Sequence, residues 1–263
     1  MPGDRWPAFL ITDNRPLTTF LMEQLAFTRL LNSLFAGPVT GLLNAIGIRP
    51  EYPLAPITNA VAMEVLVFML LVVAFLLVRS RLSVESPGGL QHIFEGIHGF
   101  IENQSREVIG HHSERFTPFL VALGLFILIS NLFGVIPGLE SPTATPVVPL
   151  GCAVCAFVYY QAQGLGNGGL GYLKHFLGPV WWLSPLMLPL EIISHLARVL
   201  SLTIRLFANM FAGDIVTMVF FSLIPIVVPV IFLGLHIGVA LLQAYIFVLL
   251  TTVYLAGAVA TEH

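Results

Sequence analysis

The chain has 263 residues, 57% of them hydrophobic and 10% charged, with a net charge of −3 and a mean hydropathy of +0.91. Soluble domains run at about 45–50% apolar and about 25% charged, so folding in water would leave more apolar surface than the polar residues can mask. The acidic balance offers no basic patch for a nucleic acid, and the composition is that of a chain whose solvent is a lipid bilayer.

The first residues lack a long apolar stretch of the kind that marks a cleavable signal, so none is expected. Residues 1–58 carry prolines at 2, 7, 16, 38, 50, 53 and 56 and are read as a separate N-terminal segment, extracytoplasmic or interfacial. Within it, 24–48 reads as short amphipathic helices broken at Gly37-Pro38. The membrane domain is placed at 59–263. Its first span is the apolar run 60–78, interrupted by Glu64 and closed by Arg79 and Arg81, since about 20 apolar residues cross a bilayer. Leu90, Ile93, Phe94, Ile97, Ile101 and Val108 recur at helical spacing over 87–112, which predicts an amphipathic helix on the membrane surface. A second span is expected over 116–136, and a third from the prolines at 142, 146 and 149 to about Tyr160. Five of the eight residues in 164–171 are glycine, which reads as a loop. Lys174, Trp181 and Trp182 fit a membrane interface. Cys152 and Cys155, three apart in an apolar run, read as small buried packing residues on one helix face rather than as a metal or redox pair.

The last third reads as two long helices, 189–222 and about 225–259, joined by a short turn. Thirty or more residues at 1.5 Å each give roughly 45–50 Å, against a hydrocarbon slab of about 30 Å. Such helices must tilt, kink or project. The fold class is therefore an all-α polytopic membrane protein with about five spans, the last two a long, strongly tilted antiparallel hairpin over 189–259. An odd number of spans puts the termini on opposite sides. The positive-inside rule places 79–115, with four Arg, in the cytoplasm, and with it the C-terminus.

Ionisable side chains in hydrocarbon are costly and mark functional sites by default. At about 100° per residue, Ser194, Arg198, Ser201, Arg205 and Asn209 form one polar stripe with Glu191 at its near end, while Asp214 points to the opposite face. Folding the hairpin back on its turn brings Asp214 level with His236, and Arg205 level with Gln243, a turn or two deeper. Arg205 stays cationic whatever its surroundings; it blocks protons and favours ionisation of a facing acid. Asp214 with His236 makes a proton-exchanging pair. Each has a plainer reading beside it. His195 can serve a hydrogen bond to a neighbouring helix, Glu191 and Arg198 can snorkel, Asp214 and His236 can be a structural pair, and Glu64 can line a route or snorkel. His92, His98, His111 and His112 read as solvated, and His111-His112 is a poor metal site. No internal repeat supports a stand-alone transporter with a central site. His195 and His236 lie too far apart in depth to hold a haem between facing helices, and no nucleophile–base pair points to an intramembrane enzyme.

The run EIISHLARVLSLTIRLFANMFAGDIV at 191–216 resembles the signature of F-type ATP synthase subunit a; LQAYIFVLLTTVYL at 242–255 resembles that family's last helix, and SNLFGVIPG at 130–138 with SPTATP at 141–146 its second span and loop. The resemblance covers about residue 60 to the end. It implies a stationary, non-catalytic, ion-conducting subunit of the bacterial plasma (inner) membrane, N-terminus outside and C-terminus cytoplasmic, without cofactor or metal. The implied partners are the c-subunit ring, the peripheral-stalk b subunits, other ATP synthase subunits, the lipid bilayer and protons. Arg205 matches the arginine that faces the ring. Asp214 and His236 match the outer half-channel, Asn209 and Gln243 polar residues near the arginine, and Glu191 and Ser194 the inner half-channel; Arg198 and Ser201 share that inner stripe. The chain departs from the family's common pattern at Val199, Ala208 and Thr145, the last leaving the outer entrance partly unassigned. No GxxxxGK[ST] loop is present for a nucleotide.

Overall fold

The computed structural model describes residues 25–47, 52–83, 88–110, 113–136, 139–169, 184–223 and 227–259. Among them there are seven α-helices and no strand: α1 Ala26–Ala45, α2 Asn59–Ser80, α3 Gly89–Ile109, α4 Thr117–Phe133, α5 Val147–Gly168, α6 Ser184–Leu223 and α7 Val227–Val259. Short 3-10 turns stand at Ser113–Arg115 and Pro142–Ala144. Four helices, α2, α5, α6 and α7, are long and apolar enough to cross a membrane, and the 17-residue α4 is a shorter apolar helix. The protein is an all-helical polytopic membrane protein.

The chain divides into two compact units, 1–65 and 66–263. In the first, the carboxamide of buried Asn32 clamps the backbone of Ile57, donating to its carbonyl and accepting from its N–H, both at 3.0 Å. Leu25 N–H donates to Asn59 Oδ1 at 3.2 Å, and Thr40 Oγ1 to the Pro53 carbonyl at 2.9 Å. The expected break at Gly37-Pro38 is absent: α1 runs through Pro38 as one helix. A proline removes one backbone donor, and the clamps on either side hold the 52–59 segment along the uninterrupted helix.

The second unit is a bundle in which α4, α5, α6 and α7 share one core. It joins Leu123 and Ile127, Cys152, Ala153 and Ala156, Leu202, Leu206 and Met210, and Ala240, Ala244 and Phe247. Many of these residues are small. In lipid, helix association depends on close packing rather than on removing apolar surface from water. Gly124 illustrates it, since a Cβ there would lie 2.8 Å from Val248 Cγ2. Large apolar side chains such as Ile193, Leu200, Ile204, Leu235 and Leu242 are left exposed on the outside of the bundle.

Two expectations are corrected here. Residues 164–168 are helical rather than a loop, and α5 ends only at Gly169, with φ 54°. Arg115 accounts for the extension, its Nη2 donating to Gln163 Oε1 at 2.6 Å and Asn167 Oδ1 at 3.3 Å, which ties down the last two turns. Cys152 is buried as expected, but Cys155 is exposed. Three residues of helix leave about 60° between the two side chains, enough to carry Cys155 past the edge of the packed face. His92 and His98 are exposed on α3, His98 facing Glu102 at 3.6 Å. His111, His112, Lys174, Trp181, Trp182 and the turn at 224–226 lie outside the described residues.

Candidate functional site

The α6–α7 hairpin is antiparallel and its polar residues meet across it. His236 on α7 is 3% exposed, and its Nε2 lies 3.7 Å from Asp214 Oδ1 on α6, beyond hydrogen-bonding distance. That Nε2 is buried and, among the described residues, has no hydrogen-bond partner. The approach depends on Gly213: a Cβ there would stand 3.1 Å from the imidazole Cε1 and Nδ1. A second glycine opens the other side. A Cβ at Gly134, just past α4, would lie 3.0 Å from Asp214 Oδ1 and 2.9 Å from Ser141 Cβ. The charge of Glu140 also acts on Asp214.

Behind Gly134 lies a buried chain of neutral polar groups that sequence reasoning did not single out. Thr143 Oγ1 donates to Asn131 Oδ1 at 2.7 Å, and Asn131 Nδ2 donates to the Ala240 carbonyl of α7 at 3.2 Å. Ser141 Oγ donates to the Ser130 carbonyl at 3.1 Å and lies 2.8 Å from Thr143 Oγ1. The available signal was Ser130-Asn131 inside an apolar run. An uncharged carboxamide there reads as packing until its partners, 12 and 109 residues away, are known. Thr145, where the outer entrance was sought, instead closes its own turn on the Pro142 carbonyl at 2.8 Å.

Deeper along α6, Asn209 Nδ2 donates to Gln243 Oε1 at 2.8 Å. Counting from the turn placed Gln243 level with Arg205; the hydrogen bond sets it opposite Asn209, one turn nearer the connection. The two cross-hairpin pairs centre on residues 225 and 226, whereas pairing Arg205 with Gln243 would centre on 224. Arg205 is half-buried, its Nη2 donating to Ser201 Oγ at 3.3 Å, and among the described residues no carboxylate pairs with it.

At the far end of the stripe, Glu191 Oε1 lies 3.3 Å from His195 Nε2. His195 is 7% exposed and reaches α5, where Tyr160 Oη lies 3.2 Å from its Nδ1. The expected role of His195, a hydrogen bond to a neighbouring helix, describes that contact. Arg198 lies over the Tyr254 ring of α7, 5.2 Å from its centroid. Ser194 is half-buried on the same stripe. The structure thus gathers the singled-out residues into two clusters, one at Asp214 and one at Glu191, called outer and inner after the expected sidedness, with a cation between them. No group of three or more His, Cys, Asp or Glu suited to a metal occurs among the described residues.

The family model described as ATP synthase A chain matches residues 61–256. An ATP synthase subunit a from Koribacter versatilis is 56% identical over 242 residues, covering 92% of this chain and 99% of the relative. One from Solibacter usitatus is 51% identical over 235 residues, covering 89% and 100%. One from Geotalea uraniireducens is 41% identical over 204 residues, covering 76% and 89%. A match over most of the chain and relatives aligned along nearly their whole length meet on the same helices that carry the polar clusters, and the chain belongs to the ATP synthase A chain family.

Proposed function

We propose that this chain is the stationary ion-conducting subunit of a bacterial F-type ATP synthase, offering two offset proton half-channels to a rotating c-subunit ring. The observation that carries the reading is Arg205, a permanent cation in a membrane helix with no carboxylate partner among the described residues. A lone charge at such a depth costs about 2.5–3.5 kcal/mol even on insertion scales, a cost that an acid on a facing partner offsets. Beside Arg205, Ala197, Ser201, Ala208 and Ala212 form an exposed strip of small residues, which lets another helix come close.

In this reading a proton enters from outside by way of the Asn131, Ser141 and Thr143 groups, reaches Asp214 and His236, and neutralises a ring carboxylate. The neutral acid crosses the lipid face as the ring turns. On the inner side, where Glu191, Ser194, Arg198 and Ser201 line the stripe, it loses the proton again. Arg205, with Asn209 and Gln243 beside it, favours that loss and blocks a leak between the lanes. Each charge that falls through 100 mV supplies about 2.3 kcal/mol, and ATP is made on other subunits. The peripheral-stalk b subunits hold the chain still. The N-terminus lies outside, the C-terminus in the cytoplasm, with residues 1–58 as the N-terminal segment and 59–263 as the membrane domain.

The test is ATP-driven proton pumping in inverted membrane vesicles, native against Arg205→Ala, with complex content checked by ATP hydrolysis. Pumping should vanish while the complex stays assembled. Unchanged coupled pumping would refute the reading.

A further inference from the structure

The inner cluster contains a histidine to which the lane chemistry above gives no part. The groups facing its ring among the described residues are few. From α5 come Tyr160 Oη, 3.2 Å from Nδ1, Gln161 Nε2, 3.5 Å from Nε2, and the Phe157 ring, edge-on at 5.8 Å. From its own helix comes Glu191 Oε1, 3.3 Å from Nε2. Arg198, three residues on, is engaged with Tyr254 of α7, whose ring centroid lies 6.1 Å from that of Tyr160.

This arrangement repeats the outer one. In both clusters a carboxylate side chain 33% exposed faces an imidazole that is nearly enclosed, 9% exposed for His195 and 2% for His236. A histidine present for packing alone would be satisfied by Tyr160 and Gln161 and would need no acid against its second nitrogen. We infer that His195 and Glu191 together form the proton-transfer pair of the inner lane, with Tyr160 orienting the ring; this rests on the half-channel reading above.

The chemistry balances without any further reagent. With Nδ1–H donating to the Tyr160 oxygen, the Nε2 lone pair faces Glu191. Glu191, one-third exposed, takes a proton from a hydronium ion, which is left as water, and forms an O–H bond. That bond breaks as Nε2–H forms, leaving a carboxylate beside an imidazolium. The reverse step returns the proton to the carboxylate and to water. Imidazoles exchange protons in the neutral range, so the ring adds a second exchangeable site to the lane beside the carboxylate.

The experiment uses the assembled complex in inverted vesicles, where the inner lane opens to the outside buffer. His195→Gln keeps amide contacts to Tyr160 and Glu191 but holds no exchangeable imidazole proton. Relative to native, its ATP-driven pumping should fall about fivefold or more near pH 8, less than about twofold near pH 6.5, and recover when imidazole is added as a mobile buffer. ATP hydrolysis in detergent normalises for complex content, and His195→Asn is carried in parallel should the first variant assemble poorly. An equal loss at both pH values without rescue, no loss at all, or failure of both variants to assemble makes the histidine structural and overturns the inference. Arg205→Ala in the same vesicles separates the two readings. If it still pumps, the half-channel reading has failed. If it does not pump and His195→Gln shows no pH-dependent loss, only the pair has failed.

Discussion

The outer and inner clusters hold the same two chemical groups and are built in different ways. Around Asp214 and His236, backbones approach closely. Gly213 and Gly134 leave no room for a Cβ, and the polar groups behind them are short side chains, Asn131, Ser141 and Thr143, each buried. Around Glu191 and His195, long side chains from α5 and α6 reach across to one another, and no glycine contact is involved. A cluster built on backbone approach has little slack, because interiors pack densely and tolerate added atoms poorly. One built on long side chains can adjust by changing rotamers. Substitutions should therefore hurt the outer cluster more than equivalent ones hurt the inner.

The largest effect is expected from removing the outer acid. Asp214→Asn should lower ATP-driven pumping by about 100-fold, within the range for loss of a proton-transfer group, whereas Glu191→Gln should cost closer to about 10-fold, water having access to the lane beside it. Equal losses would break the comparison. Next come the glycines. Gly134→Ala puts a methyl group 3.0 Å from the Asp214 carboxylate and should reduce pumping several-fold without reducing complex content. Gly151→Ala, with nothing within 4 Å of its Cβ position, should leave pumping unchanged. A harmless Gly134→Ala would mean that the outer cluster has more slack than its geometry allows. Asn131→Leu should then lower resistance to thermal unfolding in detergent by about 1–3 kcal/mol, because it removes two buried hydrogen bonds, one to the Ala240 carbonyl and one from the Thr143 hydroxyl. The smallest effect is Arg115→Ala, whose exposed contacts are worth about 1 kcal/mol or less. It should appear as faster hydrogen exchange over 163–168 with pumping intact.

The spans were legible because apolar runs of the needed length are rare by chance, and the hairpin was legible because two long helices joined by a short connection have one way to pair. Asp214 and His236 could be matched by counting outward from the turn. The same count missed by one turn at Gln243, since a shift of two residues in the centre of the hairpin moves a partner by four. What escaped were features decided by contacts distant in sequence. The glycines of 164–168 read as a loop because nothing local says that Arg115, 48 residues from Gln163, will hold them in a helix. Cys155 was misplaced because a face was assigned without its edge. Asn131 and Thr143 looked like ordinary polar residues until α7 and the 3-10 turn at Pro142–Ala144 came together around them.

The shortness of α4 has a consequence for the electric field. Its 17 residues span about 25 Å, less than the hydrocarbon thickness of about 30 Å, and it stops just before Gly134, against the Asp214 carboxylate. A helix too short for its bilayer draws the interface inward. Water and headgroups then sit nearer the outer cluster than a full-length span would allow. Conducting water on that flank carries almost no voltage drop, so the membrane potential is compressed into the thinner insulating layer that remains around Arg205. On the half-channel reading, a proton reaching Asp214 would have crossed little of the voltage, with most of the electrical work left for the step on the ring.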